Sequence, residues 1–212
     1  TALVLSDGTW LLPTDDIGPL PEPYTLSSAT MPGANGQISR FYLSHDQGIS
    51  WSPSTGAIRG HHGSFVELKN GSIWGIGRNE GIIGKDGLSR MPQGITHDHG
   101  QTFEISATSL PNIHGGQRMV SLRLQEGPII VVSFANPNST IGRNGYDQES
   151  AVPAVIDTKS GRQIFGLYVA LSNDEASTWE NIRVVSDGRP AHNVETTDGN
   201  LFSMDETHGE TQ

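Results

Sequence analysis

The side chains able to do chemistry in this chain gather in a few short polar stretches. Arg59, His61 and His62 stand together, and Arg78, Asn79 and Glu80 follow an apolar run. His114, Gln117 and Arg118 precede another such run, and Asn136 follows it. Arg143, Tyr146, Asp147 and Glu149 occupy a long polar stretch. Asp205, Glu206 and His208 come near the end. A guanidinium binds a carboxylate or sulfate through two parallel hydrogen bonds. An imidazole titrates near neutral pH and can carry protons. Two carboxyl groups about 5–10 Å apart can cleave a glycosidic bond. On these grounds His62, Glu80, Asp205 and Glu206 are the candidate proton-transfer residues. His61, Arg78, Gln117, Arg118, Arg143 and His208 are the candidate substrate contacts. Lys and Arg together number only 13, so Arg59, Arg78, Arg90, Arg118 and Arg143 in such stretches point to an anionic ligand. Salt bridges between neighbouring structural units are the competing use of Arg78 and Arg118.

A repeat must position these residues. One eight-residue pattern occurs three times: Ser44-His-Asp-Gln-Gly-Ile-Ser-Trp51, Thr96-His-Asp-His-Gly-Gln-Thr-Phe103 and Ser172-Asn-Asp-Glu-Ala-Ser-Thr-Trp179. Such recurrence signals a repeat architecture. The Asp at position three can accept hydrogen bonds from its own turn, as Asx turns do. The Gly at position five allows a positive φ. Ala176 takes that place in the third copy, so a strained or differently shaped turn is expected there.

A second repeat interleaves with the first. Apolar runs flank a tight turn at Asp7-Gly8, at Asn70-Gly71 and at Glu126-Gly127. Asp-Gly and Asn-Gly between strand-like runs are strong hairpin signals. The order is strand A, Gly turn, strand B, loop, strand C, octapeptide, strand D, three times over. Antiparallel order then puts the start of each A strand and the end of each B strand on one face. The Gly turns and octapeptides fall on the other. Residues just before each A strand, just after each B strand and in the B–C loops can therefore converge. Two adjacent residues at a strand start point to opposite faces, so one of His61 and His62 is expected at the site. Trp10, Trp51, Trp74 and Trp179 read as core.

The expected fold is all-β, a β-propeller of four-stranded antiparallel blades. The blades run roughly over 1–60, 61–112 and 113–190, and a fourth starts in 191–212. Propellers close with about 4–8 blades, and three leave open edges, which sheets avoid. The chain is expected to be part of a six-bladed ring, completed by further blades or by a second copy. The longest B–C loop, from about Ala135 to Arg162, is a functional or mobile connection.

Composition narrows the partners. With 26 Gly and 12 Pro in 212 residues, and 17 % charged residues, short strands and many loops are favoured. The net charge of −10 argues against nucleic acid. No run reaches the roughly 18 apolar residues of a membrane span. No signal peptide is visible at Thr1, where the start reads as internal. Cysteine is absent, which excludes disulfides and thiolate metal sites. His45, His97 and His99 lie in the octapeptides, away from His61, so no metal and no cofactor is expected.

The octapeptide closely resembles the Asp-box (bacterial neuraminidase, or BNR, repeat) of the sialidase superfamily. Gly60-His-His-Gly-Ser-Phe-Val-Glu-Leu-Lys-Asn-Gly71, Gly115-Gly-Gln-Arg118 and Met204-Asp-Glu-Thr-His208 are similar to stretches of sialidase-like proteins. The resemblance spans nearly the whole chain. It implies a secreted or periplasmic glycoside hydrolase of the exo-α-sialidase kind, acting on terminal residues of an anionic glycan. Members carry an arginine triad, an Asp acid/base and a Tyr nucleophile paired with Glu. Tyr146 with Glu149 is the only such pairing in view. The Arg-Ile-Pro motif of authentic sialidases is missing, and Arg90-Met-Pro92 lies inside the second blade. Two other readings stay open: a non-catalytic glycan- or protein-binding propeller, and a propeller polysaccharide lyase.

Overall fold

The computed structural model describes residues 2–21, 35–113, 117–135, 140–141, 150–186, 193–195 and 201–203. The first sheet holds β1 (Leu3–Val4), β2 (Trp10–Pro19), β3 (Asn35–Ser44) and β4 (Ser52–Pro53), with β5 (Ile58–Arg59) also paired to β3. The second holds β6 (His61–Glu67), β7 (Ile73–Arg78), β8 (Ile82–Ile83), β9 (Ser89–Thr96) and β10 (Glu104–Pro111). Its order is β6-β7-β9-β10, with β8 on β9. In the third, β11 (Val120–Arg123) and β12 (Ile129–Ala135) come first. The small ladder of β13 (Thr140–Ile141) and β14 (Ser150–Ala151) interrupts, and β15 (Gly166–Ser172) and β16 (Glu180–Ser186) complete the sheet. A last hairpin pairs β17 (Asn193–Glu195) with β18 (Leu201–Ser203). In each of the first three sheets four strands form a simple antiparallel meander, which is the blade of a β-propeller, and β5 and β8 are short additions to the first two.

Blades stack through apolar faces. Leu11, Phe41 and Leu43 of the first blade meet Phe65 and Ile73 of the second. The Phe41 and Phe65 rings meet edge-on at 5.2 Å. Val66, Trp74, Ile76 and Met91 on the opposite face of the second blade meet Ile129, Val131, Tyr168 and Ala170 of the third. Trp74 is fully buried and lies 5.7 Å from the half-buried Trp179. Trp10 and Trp51 differ from the expectation of core tryptophans. They are 38 % and 37 % exposed, because they lie on the face of the first blade that no described sheet covers.

The three octapeptides close the C–D turns identically. Asp46 accepts from Ser44 Oγ (2.8 Å), Ser50 N (2.8 Å) and Ser50 Oγ (2.6 Å). Asp98 does the same with Thr96 and Thr102, and Asp174 with Ser172 and Thr178. The fifth residue of each donates its N–H back to the first hydroxyl at 2.8–2.9 Å. Its φ is 89° at Gly48, 85° at Gly100 and 66° at Ala176. The third turn is thus not differently shaped. Ala176 accepts the left-handed backbone, at about 1 kcal/mol, and its methyl is buried in the core. A Cβ at Gly100 would lie 2.5 Å from the Phe41 ring, so that turn has no room for the same exchange.

Candidate functional site

The face opposite the octapeptides carries the candidate site, and the long first hairpin builds one wall of it. β2 and β3 pair over ten residues, from Trp10↔Ser44 to Pro19↔Asn35. This length carries Asp15 and its cross-strand partner Ser39 past the sheet core to the start of β6. There the chain turns through Gly60, with φ 86°. A Cβ at Gly60 would lie 2.4 Å from Arg78 O, so only glycine lets the two backbones meet. The register slips between His61 and Ser64, a bulge of the kind that re-aims side chains.

His62 lies within that bulge, with φ 52°. Asp15 holds it twice: Oδ1 accepts the His62 N–H at 2.5 Å, and Oδ2 lies 2.8 Å from the ring Nδ1. Ser39 Oγ lies 3.0 Å from Asp15 Oδ1 and 2.9 Å from Gly60 O, and accepts the Gly63 N–H. The His61 and His62 rings sit 4.2 Å apart, edge to face. The alternation rule that would separate them fails here. A left-handed residue at the bulge turns both imidazoles to one side.

β7 brings the second wall. Arg78 Nη1 donates to Asn79 Oδ1 at 2.9 Å. Asn79 Nδ2 donates to Gln37 Oε1 at 2.8 Å and lies 3.3 Å from His61 Nδ1. Gln37 N donates to Glu80 Oε1 at 3.0 Å. Glu80 is buried, so this carboxylate anchors the seam between the first two blades from behind.

Electrostatics ties the group together. Burial lowers the His61 pKa to about 4, helped by the charges of Arg78 and Arg118, while Asp15 opposes. His62 is also lowered, again first by burial, with Asp15 pulling the other way. Burial and then Arg118 bring Arg78 down to about 10. At neutral pH the site therefore presents two guanidiniums, two uncharged imidazoles and one carboxylate. It is a positive spot on a chain of net charge −10.

His61, His62, Arg78 and Arg118 are the sequence candidates that come together. Gln117 is adjacent, and its carbonyl accepts from Arg118 Nη1 at 3.3 Å. Arg143, Asp205, Glu206 and His208 lie outside the described residues, as do His114, Asn136, Tyr146, Asp147 and Glu149. The five-arginine grouping does not hold. Arg59 is fully buried. Arg90 is tied to Asp86 at 2.5 Å and to Ser109 O at 3.1 Å. Asp15, Gln37 and Ser39 were not singled out from the sequence. Asp15 had a signal: it comes just after the apolar run Trp10-Leu-Leu12, as Arg78 comes just after Ile73-Trp-Gly-Ile76. Among the described residues no group of three His, Asp or Glu could hold a metal ion.

Four-stranded blades, Asp-box turns and a cationic rim define a class, the Asp-box repeat propellers. Residues 1–207 match the family described as BNR repeat-like domain, and the chain belongs to that family. None of the curated proteins compared with it matches. The solved structures to which the chain is similar include these three. One is a Dyadobacter fermentans protein of unknown function, with 17 % identity and TM-score 0.44, over 94 % of this chain and 54 % of that one. Another is an α-L-arabinofuranosidase from Fusarium graminearum, with 16 % identity and TM-score 0.38, over 95 % and 67 %. The third is a Penicillium chrysogenum α-L-arabinanase complexed with arabinobiose, with 15 % identity and TM-score 0.38, over 94 % and 71 %. The chain thus spans about half the length of the first of these.

Proposed function

We propose that the chain is part of a sialidase-like glycoside hydrolase acting on terminal residues of an anionic glycan. The observation that carries this reading is the pair Arg78 and Arg118 beside His61, His62 and Asp15. Arg118 is exposed and can fork onto a carboxylate, while buried Arg78 adds charge from behind. With His62 Nδ1 on Asp15 and His61 Nδ1 facing Asn79 Nδ2, His62 can accept from a sugar hydroxyl through Nε2 and His61 can donate to one through Nε2. Asp205 and Glu206 are the proposed carboxyl pair of the hydrolysis. Further blades, from a longer chain or a second copy, are proposed to close the ring.

One observation favours a second reading. A neutral histidine held by a carboxylate beside two arginines also suits a polysaccharide lyase, where a base removes the proton next to a uronate carboxylate. The test is a panel of aryl glycosides that includes sialic and uronic acids, run beside a polyuronate. Release of aglycone that Arg118→Ala abolishes supports the hydrolase. A product absorbing in the ultraviolet from the polyuronate supports the lyase. Binding without turnover in either assay leaves a glycan-binding propeller and sinks both enzymatic readings.

A further inference from the structure

The Asp15–His62 contact is the least expected feature of the molecule, since it joins strand β2 of the first blade to the bulge in β6 of the second. We infer that Asp15 is a positioning residue that fixes His62 with its proton on Nδ1 and its Nε2 turned to the site as a proton acceptor. The inference rests on the carbohydrate-processing reading for its function, but not for its geometry.

The geometry argues for it in three ways. First, both carboxylate oxygens act on one residue, with Oδ1 on the His62 N–H (2.5 Å) and Oδ2 on Nδ1 (2.8 Å). A carboxylate can only accept, so Nδ1 must carry a proton and, in the neutral ring, Nε2 cannot. Second, His62 keeps a left-handed backbone, φ 52°, which a non-glycine residue holds only where its surroundings over-determine it. The double clamp does so. Third, Ser39 Oγ, 3.0 Å from Asp15 Oδ1, and the ten-residue hairpin behind it fix the carboxylate in turn. No described residue bonds Nε2.

The charged groups facing the ring are Asp15 from β2, Arg78 from β7 and Arg118 from the approach to β11, with His61 beside it. The arginines and burial keep the imidazole neutral. Asp15 counters the positive charge that appears once Nε2 takes a proton. The proton accepted from water or from a substrate carbon stays on Nε2 until it is handed to the departing oxygen, so no other reactant is consumed.

Nitrogen-15 NMR of the histidines in the full chain tests the tautomer directly. The expected result is a proton-bearing Nδ1 and a bare Nε2 for His62, and a proton on Nε2 would overturn the inference. In Asp15→Asn the His62 titration should move to lower pH, because the carboxylate that favours the imidazolium is gone. An unmoved titration would also overturn it. If Asp15→Asn fails to fold, the wild-type tautomer still decides. With a substrate from the panel above, Asp15→Asn should lower kcat by about 10²-fold with little change in KM. A wild type that holds the tautomer yet turns over nothing retains the clamp and removes the enzymatic reading.

Discussion

The two faces of this propeller use aspartate in opposite ways. On the octapeptide face, Asp46, Asp98 and Asp174 bond donors within their own turns, at most four residues away. On the rim, Asp15 bonds Ser39 and His62, 24 and 47 residues away. One kind of aspartate closes a turn that each blade builds alone. The other binds two blades and aims an imidazole. Most of the backbone strain follows the same split. Gln47, His99 and Glu175 take left-handed φ in equivalent turn positions, His62 and Asn79 take it at the seam, and Asn181 in β16 stands apart from both groups. Repetition marks structure here, and the unrepeated contact marks the site.

The sharpest way to break this contrast is to remove the room that each face needs. Gly60→Ala would place a methyl 2.4 Å from Arg78 O and 2.5 Å from Arg78 N. Backbone cannot yield as a side chain can, and the left-handed φ adds its own penalty. The expected loss is about 3 kcal/mol or more, read as a lower urea midpoint. Ala176→Gly is the matched change on the octapeptide face. It relieves left-handed strain and removes one buried methyl, so stability should stay within about 1 kcal/mol of wild type. A mild effect at Gly60 would mean that the rim is not rigidly fixed.

Acid should separate the faces by pH. His61 has a folded pKa of about 4, below its unfolded value of about 6.5. Its neutral burial therefore stabilises the fold above pH about 6.5, and this is lost as pH falls towards 4. Asp46 is lowered to about 2 by bonds from Ser50 and Ser44, and Asp98 and Asp174 are lowered by the equivalent bonds. The Asp46 contribution is present above pH about 4 and is lost as pH falls towards 2, and those of Asp98 and Asp174 are lost in the same direction. Urea midpoints across pH should fall in two steps, the rim first. His61→Gln should flatten the upper step and Asp46→Asn the lower. A single acid transition that neither variant alters would remove the distinction.

Legibility in the sequence follows the same division. The octapeptides and Gly turns are local, so the strand order and the meander could be read from eight-residue strings. Ala176 looked like an exception only because its identity was weighed without the hydroxyl bond that holds the turn. The rim depended on strand length and on a bulge. The apolar run after Asp7-Gly8 stops at Leu12, yet β2 continues through the polar Thr14, Asp15 and Asp16 to Pro19 and so delivers Asp15. His61 and His62 looked divergent because no string announces that His62 is left-handed. Arg59 looked like a ligand, yet it is enclosed between blades, because burial is set by a neighbour that the local pattern does not contain.

The smallest expected effect separates charge from packing at the rim. Arg118 is exposed, and its Nη1 reaches the carbonyl of its neighbour Gln117. Arg118→Ala should therefore leave the urea midpoint almost unchanged, within about 0.5 kcal/mol in stability. Its charge nevertheless reaches His61, where it helps hold the imidazole neutral. Without it the His61 titration, read by NMR, should move to higher pH from about 4. The same variant should lose affinity for an acidic sugar, since the outer guanidinium is gone. If stability falls while the His61 titration stays put, Arg118 is a packing residue and the rim carries no concerted positive field. If the titration moves and stability does not, the rim differs from the octapeptide face in kind. Its charges then act on one another across blades, where the aspartates Asp46, Asp98 and Asp174 bond within their own eight residues.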